Sequence, residues 1–199
     1  MKIINANWVV TCDENNSIIK NGAVVFDDKI IEIDTLSNIE KKYPNIEILN
    51  LEENSVLMPG LVNSHVHLEF SSNTTTLKYG NFMSWLNSVI KSREDLIQKA
   101  DKKLISTKLD RMKKTGTTTI GAISSYLFDL EPCVQTPINT VFFCTFIGSK
   151  GDMVDTLFAD FKDRLRNAKK FKSKNFIPAI AIHSPYSVHP FLVRETLNL

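Results

Sequence analysis

Residues 59–70 read PGLVNSHVHLEF. A Pro-Gly break is followed by an apolar stretch, Leu61–Leu68, that reads as a strand and carries His-x-His near its end. Residues two apart on a strand project to the same side, so His65 and His67 point together. Two imidazoles so placed can share one divalent ion at about 2.0–2.1 Å each. The spacing alone also fits two surface histidines or a satisfied core histidine. Their position at the C-terminal end of an apolar strand, where barrel enzymes carry their chemistry, favours the metal reading. Glu69 lies two residues after His67. It either touches a substrate from the same face or makes a structural contact at the strand rim.

Upstream of this break the chain is rich in short β signals. Lys2–Thr11 is strand-like, 12–17 (CDENNS) is a turn, and GAVVF and KIIEI within 22–34 form a hairpin joined at Asp27-Asp28. A short helix over 36–43 is stopped by Pro44, and 46–51 and 55–58 are further strand candidates. Residues 1–58 therefore form a small β-rich unit.

Downstream, over 59–199, strand and helix signals alternate. Phe82–Met112 is one long helical region in which Phe82, Trp85, Leu86, Val89 and Ile90 mark a single face, with a break expected near Ser92. Trp85 is read as a core aromatic on that face, a ligand wall being the other reading. Gly116 stops the helix. Strands follow at 117–123, 139–147 and 176–182, with an irregular stretch after the first, a helix over 153–171 and another from near Pro190. Continuous apolar runs such as NTVFFCTFI imply a parallel sheet buried on both faces.

Composition sets further limits. With 43% hydrophobic and 23% charged residues the chain is globular. The net charge of +2 gives no footprint for nucleic acid, and the seven Lys and Arg residues within 162–174 read as a solvated outer helix. No apolar run reaches the roughly 20 residues of a membrane helix, and the N-terminus lacks a signal-peptide pattern. Cys12, Cys133 and Cys144 are odd in number and far apart, as expected of reduced thiols in a cytoplasmic protein. A complete (β/α)8 barrel takes about 250 residues, more than this chain has.

PGLVNSHVHLEF resembles the first barrel strand of the amidohydrolase superfamily, and most of all its deaminase and chlorohydrolase branch. KTGTTTIGAISS (114–125) is similar to that family's second barrel strand, and AIHSPYSVHP (181–190) to the segment that ends the fourth. The resemblance implies an α/β fold: a portion of a small N-terminal β-sandwich over 1–58, then the first four β/α units of a TIM-like barrel over 59–199. It implies hydrolytic deamination of an adenine-type nucleoside, a small-molecule substrate. His65 and His67 are then metal ligands and His183 contacts substrate. His189, before Pro190, has a helix-start role. The segment FIPAIAIHSP carries no Lys, which disfavours the two-metal type with a carboxylated Lys. One divalent ion is expected, Zn2+ by default and Fe2+ or Ni2+ otherwise.

The family's pattern also calls for a fifth-strand His with a nearby Glu acid/base, a sixth-strand His and an eighth-strand Asp. All are expected beyond Leu199, so no catalytic acid or base is assigned within this chain. The 199 residues read as the N-terminal half of a longer, dimerising enzyme, and alone are expected to bind metal weakly and not to catalyse. Guanine deamination, hydrolytic dechlorination, and a non-catalytic half-barrel that binds a partner are the alternatives.

Overall fold

The computed structural model describes the backbone of residues 1–199 and every side chain except that of Pro185. The chain divides into two compact units, Met1–Gly60 and Leu61–Leu199.

The first unit is a mixed sheet. Strands β1 (Lys2–Val10), β2 (Ile18–Phe26) and β3 (Ile30–Thr35) run antiparallel in the order β3-β2-β1. The short helix α1 (Leu36–Lys42) follows, and β4 (Ile48–Asn50) and β5 (Val56–Leu57) add parallel to β1. The 12–17 turn is held by Asp13, whose carboxylate accepts from the Ser17 amide at 2.8 Å and the Asn15 amide at 3.1 Å. Strand β2 starts at Ile18, four residues before the hairpin expected from Gly22. Alternation along β2 sends Ala23 and Val25 to one face, with Ile3 and Ile39, and Val24 to the other, with Ala6.

The second unit alternates strand and helix: β6 (Leu61–Val66), α2 (Phe82–Lys99), α3 (Lys102–Lys114), β7 (Thr117–Ser124), α4 (Leu130–Gln135), β8 (Asn139–Phe146), α5 (Val154–Lys169), β9 (Phe176–Ile182) and α6 (Pro190–Leu197). Its strands pair in parallel in the order β6-β7-β8-β9. Sequential parallel order with helical crossovers is the pattern of successive units of a (β/α)8 barrel, here a partial one. Phe142, Phe146, Phe161 and Phe176 are fully buried in its core, together with Ile105, Leu109 and Ile120.

Three expectations are corrected. The long helical region breaks at Ala100-Asp101 and not near Ser92. Ala100 leaves helical geometry (φ −88°, ψ 69°), and Asp101 caps α3 by accepting from the Leu104 amide at 2.7 Å. Trp85 is not a core aromatic: it is 37% exposed and packs beside Phe82 at 5.7 Å, on a helix whose one buried side chain is Leu96. The irregular stretch after β7 holds α4, where Pro132 sits in the first turn and so breaks no intrahelical bond. The lysines of 162–174 are exposed, as on a solvated helix face. No helix is long and apolar enough to cross a membrane among the described residues.

Candidate metal and substrate site

Parallel sequential strands place their C-terminal ends along one rim of the sheet, and the sequence-predicted residues gather there. His65 lies on β6 and His67 just past its end. The pairing of β6 with β7 is irregular at this point: Asn63 faces Ile120 but Val66 faces Ala122, so three steps on β6 match two on β7. The bulge fits because Gly121 has no side chain. A Cβ there would lie 2.3 Å from the Ser64 carbonyl oxygen and 2.9 Å from its carbon.

The two imidazoles converge. His65 Nε2 and His67 Nε2 are 3.1 Å apart, with ring planes at 62°. Two ligands each at about 2.0–2.1 Å from a tetrahedral ion stand about 3.3 Å apart, so this separation fits a shared divalent cation. His65 is exposed and His67 half-buried, and the Nδ1 of His67 is buried with no partner among the described residues. Burial first, then the neighbouring His65, His183 and Arg93, lower the pKa of His67, which favours the neutral ring that a metal requires. Two converging imidazoles are fewer than the three or more protein ligands a metal site usually has. Among the described residues no group of three His, Cys, Asp or Glu side chains is placed to hold one ion.

His183 follows β9, on the same rim. Its amide donates to the Phe146 carbonyl at 3.0 Å, and its Nδ1 lies 2.6 Å from Ser187 Oγ. Ser187 has one hydroxyl hydrogen, and that is donated to the Ser184 carbonyl at 2.8 Å. The contact with His183 therefore has Nδ1–H donating, which leaves the lone pair on Nε2. Burial, then Arg93 and His65, lower the pKa of His183. His189 is the N-cap of α6, its Nδ1 accepting from the Phe191 amide at 3.3 Å.

Glu69 is fully buried. One oxygen accepts from the Ser125 amide at 2.9 Å; the other accepts from the Tyr126 amide at 2.6 Å and lies 3.3 Å from Ser124 Oγ. These bonds tie the turn after His67 to the residues that follow β7. Burial raises its pKa against the lowering effect of those amides. Asp129, also fully buried, is pushed up to about 8, by burial first and by Glu69 second.

Two contributors escaped the sequence reading. Arg93 on α2 lies over the Tyr126 ring at 5.1 Å, and its buried Nε has no partner among the described residues. Its charge is felt by both His67 and His183. Asp129 sits sixty residues from Glu69 in the chain and is tied to it through the Ser124 hydroxyl. An Arg on a polar helix and an Asp before a short turn give no local signal of either placement.

Comparison with known proteins bears on the family of the chain. The chain is 45% identical over its whole length to an aminodeoxyfutalosine deaminase of a Nitratiruptor species, and covers 48% of that protein. It is 35% identical, again over its whole length, to an adenosine deaminase of Helicobacter pylori, of which it covers 47%. The crystal structure of Helicobacter pylori aminofutalosine deaminase in complex with methylthio-coformycin superposes on the whole chain with a TM-score of 0.91 at 31% identity, and the chain covers 48% of it. The chain thus spans about half the length of the curated relatives it matches. Residues 56–199 match the amidohydrolase family, and the chain belongs to that family.

Proposed function

We propose that this chain carries the first two metal ligands and one substrate-binding histidine of a hydrolytic deaminase for an adenine-type nucleoside, with 6-aminodeoxyfutalosine, of menaquinone biosynthesis, as its substrate. The convergence of His65 Nε2 and His67 Nε2 to 3.1 Å at the end of the first barrel strand carries this reading. The substrate assignment is supported by the likeness to deaminases of aminodeoxyfutalosine and adenosine.

One divalent ion, with Zn2+ preferred over Fe2+ or Ni2+, would be held by His65 and His67 and would bring the pKa of a bound water near 7. The remaining work of this chain is positional. His65 and His67 present nitrogen lone pairs to one point. His183, fixed by Ser187 through Nδ1–H, offers Nε2 as an acceptor toward the substrate or its addition product. The acid/base for the exchange of amine for oxygen, and the remaining metal ligands, are assigned to chain beyond Leu199, so these 199 residues alone do not catalyse. The whole protein is proposed to be cytoplasmic and dimeric, with no nucleic-acid or membrane partner.

The test is ammonia release by the product of the complete reading frame, loaded with Zn2+, from 6-aminodeoxyfutalosine, adenosine, methylthioadenosine, S-adenosylhomocysteine and guanine. Preference for 6-aminodeoxyfutalosine supports the assignment, and turnover of guanine alone overturns it. The chain ending at Leu199 is expected to release no ammonia from any of them.

A further inference from the structure

Three fully buried polar side chains, Glu69, Ser124 and Asp129, join the turn after His67 to the end of β7. Their hydrogen-bond geometry can be counted. Ser124 Oγ meets three groups: Asp129 Oδ1 at 2.6 Å, Glu69 Oε1 at 3.3 Å and the Leu127 amide at 3.2 Å. A hydroxyl has one hydrogen and two lone pairs. The Leu127 N–H takes one lone pair. One hydrogen and one lone pair remain for two carboxyl oxygens, so one carboxyl brings a hydrogen of its own.

The surroundings say which. Both oxygens of Glu69 face backbone N–H groups, those of Ser125 and Tyr126, which is the setting of a carboxylate. Asp129 Oδ2 has no partner among the described residues, and Oδ1 meets the shared hydroxyl at a short distance. A buried, unpartnered carboxyl is far cheaper to keep neutral than charged.

We propose that Asp129 is a neutral acid that donates to Ser124 Oγ, that Ser124 donates to Glu69, and that the carboxylate so fixed makes Glu69 a positioning residue for the His65–His67 pair. The need for it lies in the strand pairing. The β6–β7 ladder is broken between Asn63 and Val66, so it does not fix His65, and β6 ends before His67. Glu69 is two residues past His67. Its anchorage on Ser125 and Tyr126 ties the chain just past His67 to the residues that follow β7. Metal affinity responds to how well the ligands are held in place, which is where such a clamp acts.

The inference rests on reading His65 and His67 as metal ligands, and its test separates the two. Asp129→Asn keeps a neutral group that can donate to Ser124; Glu69→Gln puts an NH2 against one of the two amides. Three quantities are measured on each variant, made in the product of the complete reading frame: urea unfolding, hydrogen exchange of the Ser125 and Tyr126 amides, and Zn2+ affinity by competition with a chelator. Asp129→Asn is expected to keep amide protection and to hold Zn2+ within about twofold of the parent. Glu69→Gln is expected to lose protection at both amides and to bind Zn2+ at least about tenfold more weakly, the usual range for groups that orient ligands. Tolerance of Glu69→Gln with loss at Asp129→Asn, or equal effects of the two, overturns the proposal. Should Glu69→Gln not fold, Ser124→Ala carries the test: lost protection at Ser125 and Tyr126 supports the proposal, and unchanged exchange overturns it. A parent that binds no Zn2+ ends the metal-ligand reading and with it the positioning role, while the exchange data still judge where the proton lies.

Discussion

Replacing Gly121 by Ala adds one methyl group, and the structure says where it goes. The new Cβ would stand 2.3 Å from the Ser64 carbonyl oxygen, 2.9 Å from its carbon and 3.3 Å from Phe143 Cε2. Ordinary contact starts near 3.4 Å, so the Ser64 carbonyl must withdraw by about 1 Å. The obstacle is β6 backbone at the bulge, not the tip of a flexible side chain. The cost therefore falls at the upper end of the overpacking range, about 3 kcal/mol. Ser64 precedes His65, so the withdrawal also moves His65, and on the proposed reading metal sites tolerate about 0.5 Å of misplacement. The assay is urea unfolding together with Zn2+ competition on Gly121→Ala. Gly151→Ala serves as control, because its Cβ would meet nothing nearer than His189 Nε2 at 3.9 Å and should change stability by less than about 0.5 kcal/mol. We expect a large drop in unfolding midpoint and at least about a tenfold loss of Zn2+ affinity. Parent-like stability and affinity in Gly121→Ala would refute the claim that the bulge at His65 depends on the missing side chain.

Asp129 gives a pH prediction with a definite sign. The folded group keeps its proton up to about 8, whereas the unfolded one loses it above 3.8. Its contribution is fully present below 3.8 and declines as pH rises toward 8, by up to about 1.4 kcal/mol per pH unit. Stability curves of the parent and Asp129→Asn should therefore diverge from about pH 4 to 8, the variant gaining, and parallel curves would contradict it. In the chain ending at Leu199, His65→Ala and His67→Ala should each remove the weak Zn2+ binding expected in equilibrium dialysis, since one imidazole of the pair remains, and parent-like binding would contradict the pairing. Ser187→Ala should leave His183 without its Nδ1 acceptor and shift its tautomer balance, visible in the 15N shifts of the ring; unchanged shifts would dismiss the role given to Ser187. Asp101→Ala should cost about 1 kcal/mol by urea unfolding through loss of the α3 cap, and no loss would deny that the cap divides the two helices.

The histidine pair was legible because its geometry is local. Alternation along one strand is enough to put residues 65 and 67 on one side, and strand β9 was readable to the residue from its apolar run. What stayed hidden depends on partners far along the chain. Glu69 takes its meaning from amides 56 and 57 residues later, and Gly121 from a bulge in another strand. The helix break was misplaced because the apolar stripe runs on through it, while the signal that ends it is one capping Asp. Trp85 followed the helical period of a buried face, yet periodicity says which residues share a face and not what covers it. Pro132 hid α4, because a proline in a first turn reads from sequence like a proline in a loop.

The strand order β6-β7-β8-β9 has a consequence for how the protein comes to be made. From β7 onward, each of these strands pairs with the one made just before it. A ribosome delivering residues at about 5–20 per second exposes each β/α unit with its docking edge already in place. Growth of the sheet and synthesis of the chain run in the same direction. The longest wait is for β7, which must emerge behind α2 and α3 before β6, the turn after His67 and the histidines themselves acquire a neighbour.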